Sequence, residues 1–546
     1  MGLEFQPYSD PAGVPGAVPD FLWKPSPRMY LVFLTLAVIT MMVALDGTSL
    51  SVALPIISEK LGGQAIEAFW SGTSFLLCST IFQPSFASFS HIFGRKPMIL
   101  TGLVFFLIGS IVAAVARDFA VLLAGRSLQG IGGGGLIALT EIVVADLVPL
   151  RLRGQWFGLD QRNVGSGLRH RPHHRRRFRT GCQLGEHRWI FWINLPFIGI
   201  AFVFIPLFLK LAFKPSSLTA QLARVDWFGS FLFIASTTSF LIPITWGGVS
   251  YPWTSWHTLV PLCLGIAGLI TFIAYEETVA AEPLIRLVIF KNQTAAVSYS
   301  ATVIHGMILW SLLYYLPLYY EAVKGFSPIV SGVALFPETF TVAPASVAVG
   351  ILITVTGRYR WAIWGGWVLT VLGTGLLYLL DVDTSTASWI FINLVGGLGM
   401  GMLFPSMAFA IQASQTNEDL AFAIAMFSFF RAFGQTLGVA VGGTVFQNQM
   451  KSKLLAYPAL ASKAGEYSKD ASGLVQIIKS MQDDATKQNL QHAYADSLKV
   501  VWATMCGLGA AGLILSLGTK GLDMNKPLET EQYFLDERNT ADEEKK

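Results

Sequence analysis

Apolar runs near the ~20 residues that cross a bilayer follow one another along almost the whole chain, divided by short polar loops. Their limits read 29–57, 68–90, 97–116, 120–145, 188–210, 227–246, 258–275, 295–322, 328–356, 361–380, 387–413, 420–447 and 498–517. The pattern predicts an all-α polytopic membrane protein of about thirteen spans. Composition agrees: 53% of the 546 residues are hydrophobic, 13% are charged and the mean hydropathy is +0.54, far from a soluble globular average.

Lysine and arginine in short loops set the orientation. With the N-terminus inside, Arg95 and Lys96, then Arg151 and Arg153, fall on the cytoplasmic side. Lys210, Lys214 and Arg224, Arg286 and Lys291, and Arg358 and Arg360 mark later loops as cytoplasmic too. Those loops keep that side only if one more span lies between Arg153 and Trp189. Where it should stand, residues 164–179 read "VGSGLRHRPHHRRRFR", with six arginines and three histidines. At ~3 kcal/mol each, six arginines would cost on the order of 15–20 kcal/mol to insert. A one-base slip of the reading frame turns Arg codons into Gly, Ala, Val or Asp and His codons into Thr or Ile. Within that freedom the stretch reads back as "WALGSVTGPIIGGAFA", a small and apolar segment. Residues from about 160 to 184 are therefore expected to be a frame-slip artefact over a fifth helix. The alternatives are a solvated basic loop and, with no acidic or cysteine partner to close a shell, a His/Arg site.

The net charge of +4 is small and its basic residues sit in loops, which suits a bilayer and not a nucleic-acid partner. Cys78, Cys182, Cys263 and Cys506 are scattered without metal-ligand spacing, so neither a disulfide framework, a metal site nor a cofactor is argued. The first 28 residues lack a signal-peptide pattern and read as a cytoplasmic tail. Residues 449–497 read as an extracellular loop with short amphipathic helices, and 521–546, ending "DERNTADEEKK", as a disordered cytoplasmic tail. No phosphate-cradling loop is present, and the chain is read as a transporter, not an enzyme.

Ionisable groups inside apolar spans are costly and face partners or aqueous cavities. Asp46 in the first span and Arg126 in the fourth fall at similar depth in the outer half of the bilayer and could pair. Two readings stay open: Asp46 or Glu141 takes up a proton under the influence of Arg126, or the pair only ties helices together. Glu141 has the further option of snorkelling to the interface, and Arg431 is expected to snorkel. Glu338, between Pro337 and Pro344 in a broken helix, is a candidate for substrate or cation contact, with Gln129, Tyr314 and Tyr315 beside it as cavity residues. In the run Leu309–Val323, Tyr319 and Tyr320 suit the interfacial aromatic belt. Gly130, Gly132 and Gly133, and further on Gly434 and Gly438, are expected to let helices approach closely.

The chain resembles the major facilitator superfamily, in its fourteen-helix drug:proton antiporter branch of fungal type. "LDGTSLSVALP" (Leu45–Pro55) is similar to that branch's first-helix motif, and "AGRSLQGIGGG" (Ala124–Gly134) to the R-x-x-Q-G-x-G motif associated with proton coupling. "ASFSHIFGRKP" (Ala87–Pro97) resembles the gating loop, His91, Gly94, Arg95 and Lys96 included, but carries Ala87 for its glycine and His91 for its aspartate. The read-back stretch contains G-x-x-x-G-P-x-x-G-G, the antiporter motif of the family's fifth helix, and "FRAFGQTLGVAVGGTVFQN" (Phe430–Asn448) resembles its penultimate one. The resemblance implies two six-helix bundles, at 29–212 (160–187 anomalous) and 290–448 with 498–520, and two linker helices at 225–275. It also implies a plasma-membrane monomer that exports hydrophobic small molecules, drugs or fungal secondary metabolites, against inward proton flow. The alternatives are uptake or vacuolar transport of a nutrient, siderophore or basic amino acid, and a non-transporting sensor or inactive pump lacking the fifth helix.

Overall fold

The computed structural model describes residues 25–61, 65–154, 188–211, 217–248, 251–468, 471–482 and 484–526. The stretch read as a frame slip, about 160–184, lies outside them. The first bundle holds α1 (Pro27–Leu61), α2 (Ala65–Phe93), α3 (Arg95–Val115), α4 (Phe119–Leu147) and α5 (Trp189–Phe208). After a short α6 (Leu218–Arg224), α7 (Trp227–Trp246) and α8 (Trp256–Thr278) pack on each other as a hairpin. The second bundle holds α9 (Gln293–Ala322), α10 (Pro328–Thr356, interrupted at Leu335), α11 (Arg360–Leu379), α12 (Thr386–Ala413), α13 (Leu420–Leu455) and, after the loop helix α14 (Ala471–Ser480), α15 (Ala485–Ser516).

Twelve of the described helices are long and apolar enough to span a membrane. To these α2 adds 29 residues whose lower hydropathy has a simple cause: it packs against α4, α13 and α7, and its Ser71, Ser79 and Ser85 are buried against protein. All thirteen runs read from the sequence are helical. Two are longer than their apolar cores, since α13 continues to Leu455 and α15 begins at Ala485, narrowing the loop read at 449–497.

The basic loops gather at one end, as the positive-inside pattern requires. Arg28 Nε donates to Phe208 O at 2.8 Å, Lys96 Nζ to Pro206 O at 3.0 Å, and Arg286 Nη1 to Asp419 Oδ1 at 3.1 Å. At the opposite end Tyr319 donates to Asp381 O at 2.8 Å and Arg188 Nη2 to Ala116 O at 3.2 Å.

The two bundles repeat one plan. The pairings α2–α4, α3–α4 and α1–α5 of the first recur as α10–α12, α11–α12 and α9–α15 of the second. The N-caps correspond as well: Asp118 accepts from the Val121 N–H before α4, and Ser385 from the Ser388 N–H before α12. The bundles meet where α13 lies against α2 and α4.

Candidate functional site

A polar cluster sits inside the first bundle, where Arg126 Nη1 donates to Asp46 Oδ2, both side chains sealed from solvent. Arg126 Nη1 also reaches Gln129 Oε1 at 2.8 Å, Nε reaches Ser71 O at 3.1 Å, and the guanidinium lies 4.5 Å from the Phe75 ring centroid. Asp46 Oδ1 accepts from Gln129 Nε2 at 3.1 Å and from Asn194 Nδ2 at 2.8 Å, while Gln129 Nε2 also reaches Ser110 Oγ at 2.9 Å. Four helices therefore converge on one carboxylate and one guanidinium, and α3 joins them through Ser110 and Gln129. A buried ion pair holds only if its remaining lone pairs and N–H groups are met, and here side-chain amides and a backbone carbonyl meet them. The pairing read from span depth is present. Gln129, read as a cavity residue, is spent on the pair, and Asn194, Ser71 and Ser110 were not anticipated.

Glycines make the convergence possible. A Cβ on Gly130 would stand 2.5 Å from Phe75 O, one on Gly132 2.4 Å from Gly102 O, and one on Gly134 2.1 Å from Ser79 O, so α4 touches α2 and α3 backbone to backbone. Gly133 is less constrained, 3.3 Å from the Phe75 ring. Gly434 and Gly438 perform the same service in the second bundle, where a Cβ would meet Val303 O at 2.1 Å and Met307 O at 2.2 Å on α9.

Glu141 and Arg431 do not snorkel. Glu141 is buried, accepts from the Ser428 hydroxyl on α13, and is paired with Arg431 Nη2 at 3.4 Å, across the seam between bundles. Arg431 spreads over Phe404, 4.6 Å from its ring centroid. Aromatic faces and a carboxylate within reach compete successfully with the long path to the interface. Nearer the basic end, Arg153 Nη1 donates to Gln412 Oε1 at 2.7 Å, Arg151 Nε to Thr354 O at 3.0 Å, and Gly154 is seated on Gly350, where a Cβ would fall 2.2 Å from the carbonyl.

The loop between α2 and α3 turns at Gly94, whose φ of 93° favours glycine. Arg95 pairs with Asp146 at 3.0 Å and donates to Ser90 Oγ at 2.8 Å, so a carboxylate from the end of α4 supplies what position 91 lacks. His91 instead stacks obliquely toward Phe422 of the other bundle, at 5.8 Å. Sequence reasoning passed over Asp146 because it lies outside the loop's own motif.

In the second bundle, Glu338 is buried and neither carboxylate oxygen has a hydrogen-bond partner among the described residues. Tyr314 is half-buried and packs on the cluster that includes Phe119 and Phe191, at the end of the first bundle away from the basic loops. Tyr315 is buried in helix packing, its hydroxyl donating to Val439 O at 3.1 Å. Tyr319 and Tyr320 are buried too, which corrects the aromatic-belt reading: Tyr319 holds Asp381 O and Tyr320 accepts from Asn393 Nδ2 at 2.5 Å.

The sequence model described as Major Facilitator Superfamily matches residues 36–161 and 182–439. The chain is 57% identical over 523 residues to MFS transporter L2 of Phoma sp. (strain ATCC 20986 / MF5453), covering 96% of this chain and 87% of that protein. It is 36% identical over 527 residues to the MFS-type efflux pump LUC4 of Fusarium sp, covering 95% and 92%. To the acurin A biosynthesis cluster MFS-type transporter of Aspergillus aculeatus (strain ATCC 16872 / CBS 172.66 / WB 5094) it is 35% identical over 523 residues, covering 92% and 91%. Among solved structures, the human organic anion transporter MFSD10 (TETRAN) shares the fold with a TM-score of 0.55 at 15% identity, over 90% of this chain and 100% of that one.

Proposed function

This chain belongs to the major facilitator superfamily, and from that premise we propose that it exports hydrophobic small molecules, secondary metabolites or drugs, in exchange for protons. The observation that carries the coupling is the sealed Asp46–Arg126 pair. An ionisable pair in the membrane interior is expensive to keep, and its charge balance changes only when a proton arrives. Protonation of Asp46 removes the negative partner and frees Arg126 to lean on Gln129 Oε1 and Ser71 O, which it already contacts. That loosens α1 and α5 from α4, because Asn194 on α5 is held through the same carboxylate. The contacts of Arg151 and Arg153, which cross to the second bundle, form the cytoplasmic closure in this reading, with Arg95 and Lys96 bracing the first bundle beside them, and the two bundles rock about the α2–α13 seam.

The fourteen-helix reading, with residues about 160–184 standing in place of the fifth span, has two supports. Gly154 packs on Gly350 at the basic end of the molecule and Arg188 on Ala116 at the other. The family match covers both flanks and omits 162–181. The plasma membrane is the location that export suits.

Purified protein in liposomes, with ethidium as the transported probe and a pH dye enclosed, tests the function. Export predicts proton movement opposite to ethidium that is diminished in Asp46→Asn. Movement of both in one direction would mean uptake, and no flux of either would leave a sensor or an inactive pump.

A further inference from the structure

The internal repeat places a second ionisable site opposite the first. Aligning α12 with α4 by their N-caps, Ser385 on Asp118, brings Gly397 onto Gly130, Gly399 onto Gly132 and Gly401 onto Gly134. The backbone seats agree. A Cβ on Gly130 would strike Phe75 O at 2.5 Å and one on Gly397 Glu338 O at 2.4 Å; on Gly134 it would strike Ser79 O at 2.1 Å and on Gly401 Val342 O at 2.4 Å. Glu338 thus occupies the position of Phe75, the ring beneath the Arg126 guanidinium. One turn before these glycines, Arg126 corresponds to Asn393. The hydrogen-bond partner of each comes from the first helix of its bundle: Asp46 for Arg126, Tyr320 for Asn393.

The charges have been redistributed between equivalent positions. In the first bundle carboxylate and guanidinium cancel, beside a phenyl ring. In the second, the position of Arg126 holds a neutral amide bonded to a neutral phenol, and the position of the ring holds the carboxylate. Glu338 is 1% exposed, both its oxygens lack a partner among the described residues, and Asn393 Oδ1, also buried, lacks one too. Tyr320 is a titratable side chain within electrostatic reach of Glu338, and no Arg, Lys or His among the described residues is bonded to the carboxylate. A buried carboxylate with no counter-charge and no donor is not sustainable in a low-dielectric interior, whereas a carboxylic acid is. Depth fits the same role. Glu338 lies ten residues beyond Pro328 at the outer end of α10, ~15 Å into the membrane at 1.5 Å per residue.

We propose that Glu338 is a second proton-loading site of the transporter, the counterpart in the second bundle of the Asp46–Arg126 pair, neutralised by a proton where the first is neutralised by a guanidinium. A proton from water on the outer side binds one Glu338 oxygen and gives a carboxylic acid. When the path opens inward the acid releases that proton to cytoplasmic water and returns to the carboxylate. Each cycle then moves one proton more than Asp46 alone accounts for. The proposal rests on the proton-coupled reading above, but its central observation does not need transport.

Infrared difference spectra of the full chain in liposomes, taken between alkaline and acid buffer, test it. The wild type is expected to show the carbonyl stretch of a protonated acid that is lost in Glu338→Gln and kept in Asp46→Asn. An unchanged spectrum in Glu338→Gln overturns the proposal. Should Glu338→Gln fail to fold, Glu338→Asp retains the acid and must displace the band; a band that does not move overturns the proposal equally. With ethidium as the probe, the proton-to-ethidium ratio should fall to about half in Glu338→Gln. A wild type that moves ethidium without protons removes the coupling reading, while the infrared result still decides whether Glu338 holds a proton.

Discussion

Arg153 joins the two bundles through Gln412: its Nη1 donates to the Gln412 oxygen at 2.7 Å, while Nε and Nη2 hold Val148 O at 2.7 Å and Ala145 O at 2.8 Å. The guanidinium holds carbonyls of its own bundle and an amide of the other, so opening the basic end breaks the bond to Gln412. Arg153→Ala should cost the closed state about 1.5–3 kcal/mol, about ten-fold or more in the ratio of closed to open. Spin labels at the basic ends of α4 and α12 would report the shift as a longer distance. An unchanged distance distribution would show that Gln412 holds nothing shut.

The Asp46–Arg126 pair predicts an asymmetry between single and double variants. Asp46→Asn strands a buried guanidinium and should destabilise by about 3–5 kcal/mol, whereas Asp46→Asn with Arg126→Gln recovers part of that loss. Thermal melts in detergent give the stabilities. Both variants should carry fewer protons per ethidium than the wild type, and a double variant that keeps the full ratio would reduce the pair to a structural tie.

Glycine contacts separate packing from mere helix flexibility. Gly134→Ala forces a methyl group to within 2.1 Å of Ser79 O and should cost about 1–3 kcal/mol or abolish folded expression. Gly199, on α5, has nothing within 4 Å of an added Cβ, and Gly199→Ala should be neutral or stabilising by up to ~1 kcal/mol. Fluorescence-detected size exclusion of the two variants makes the comparison.

Outside the membrane, Asp381 supplies a pH-dependent contact. Burial pushes its carboxyl up, but hydrogen bonds from Lys499 and the Val382 N–H, with the charges of Lys499 and His492, outweigh this and hold it below the usual carboxylate range. A carboxylate lowered on folding adds stability above its unfolded value near ~3.9 and loses it as pH falls through the folded value. The group is 41% exposed, so the effect is small and screened by salt. Melting temperatures of Asp381→Asn and wild type should converge as the buffer is taken from pH ~5 to ~3.

The basic stretch carries its own prediction. Transcript sequencing across codons 155–190 should reveal a one-base shift that restores a Gly/Pro-rich apolar segment. A faithful transcript would make the basic run genuine and remove the frame-slip reading.

Much of this architecture is legible because the bilayer imposes one length and one polarity on every span. The Asp46–Arg126 pair was legible for a related reason, since depth in antiparallel helices follows from residue count. Lateral facing was not. Tyr319 and Tyr320 look like belt residues because lipid tails and a helix interface are equally apolar, and hydropathy does not tell one from the other. The Glu141–Arg431 contact joins residues far apart in sequence on different bundles, and nothing local to either announces the other. The correspondence of Glu338 with Phe75 was invisible because the repeat is kept in backbone contacts, not in residue types.

The α7–α8 hairpin touches α2 and α13, the pair that forms the seam, chiefly through α7, while Leu264, Ile270 and Ile273 of α8 face outward. Any rocking of the bundles must therefore drag this hairpin sideways through the acyl chains. Membrane thickness and sterol content then act as a mechanical load on turnover, and the same polypeptide should run at different speeds in membranes of different stiffness.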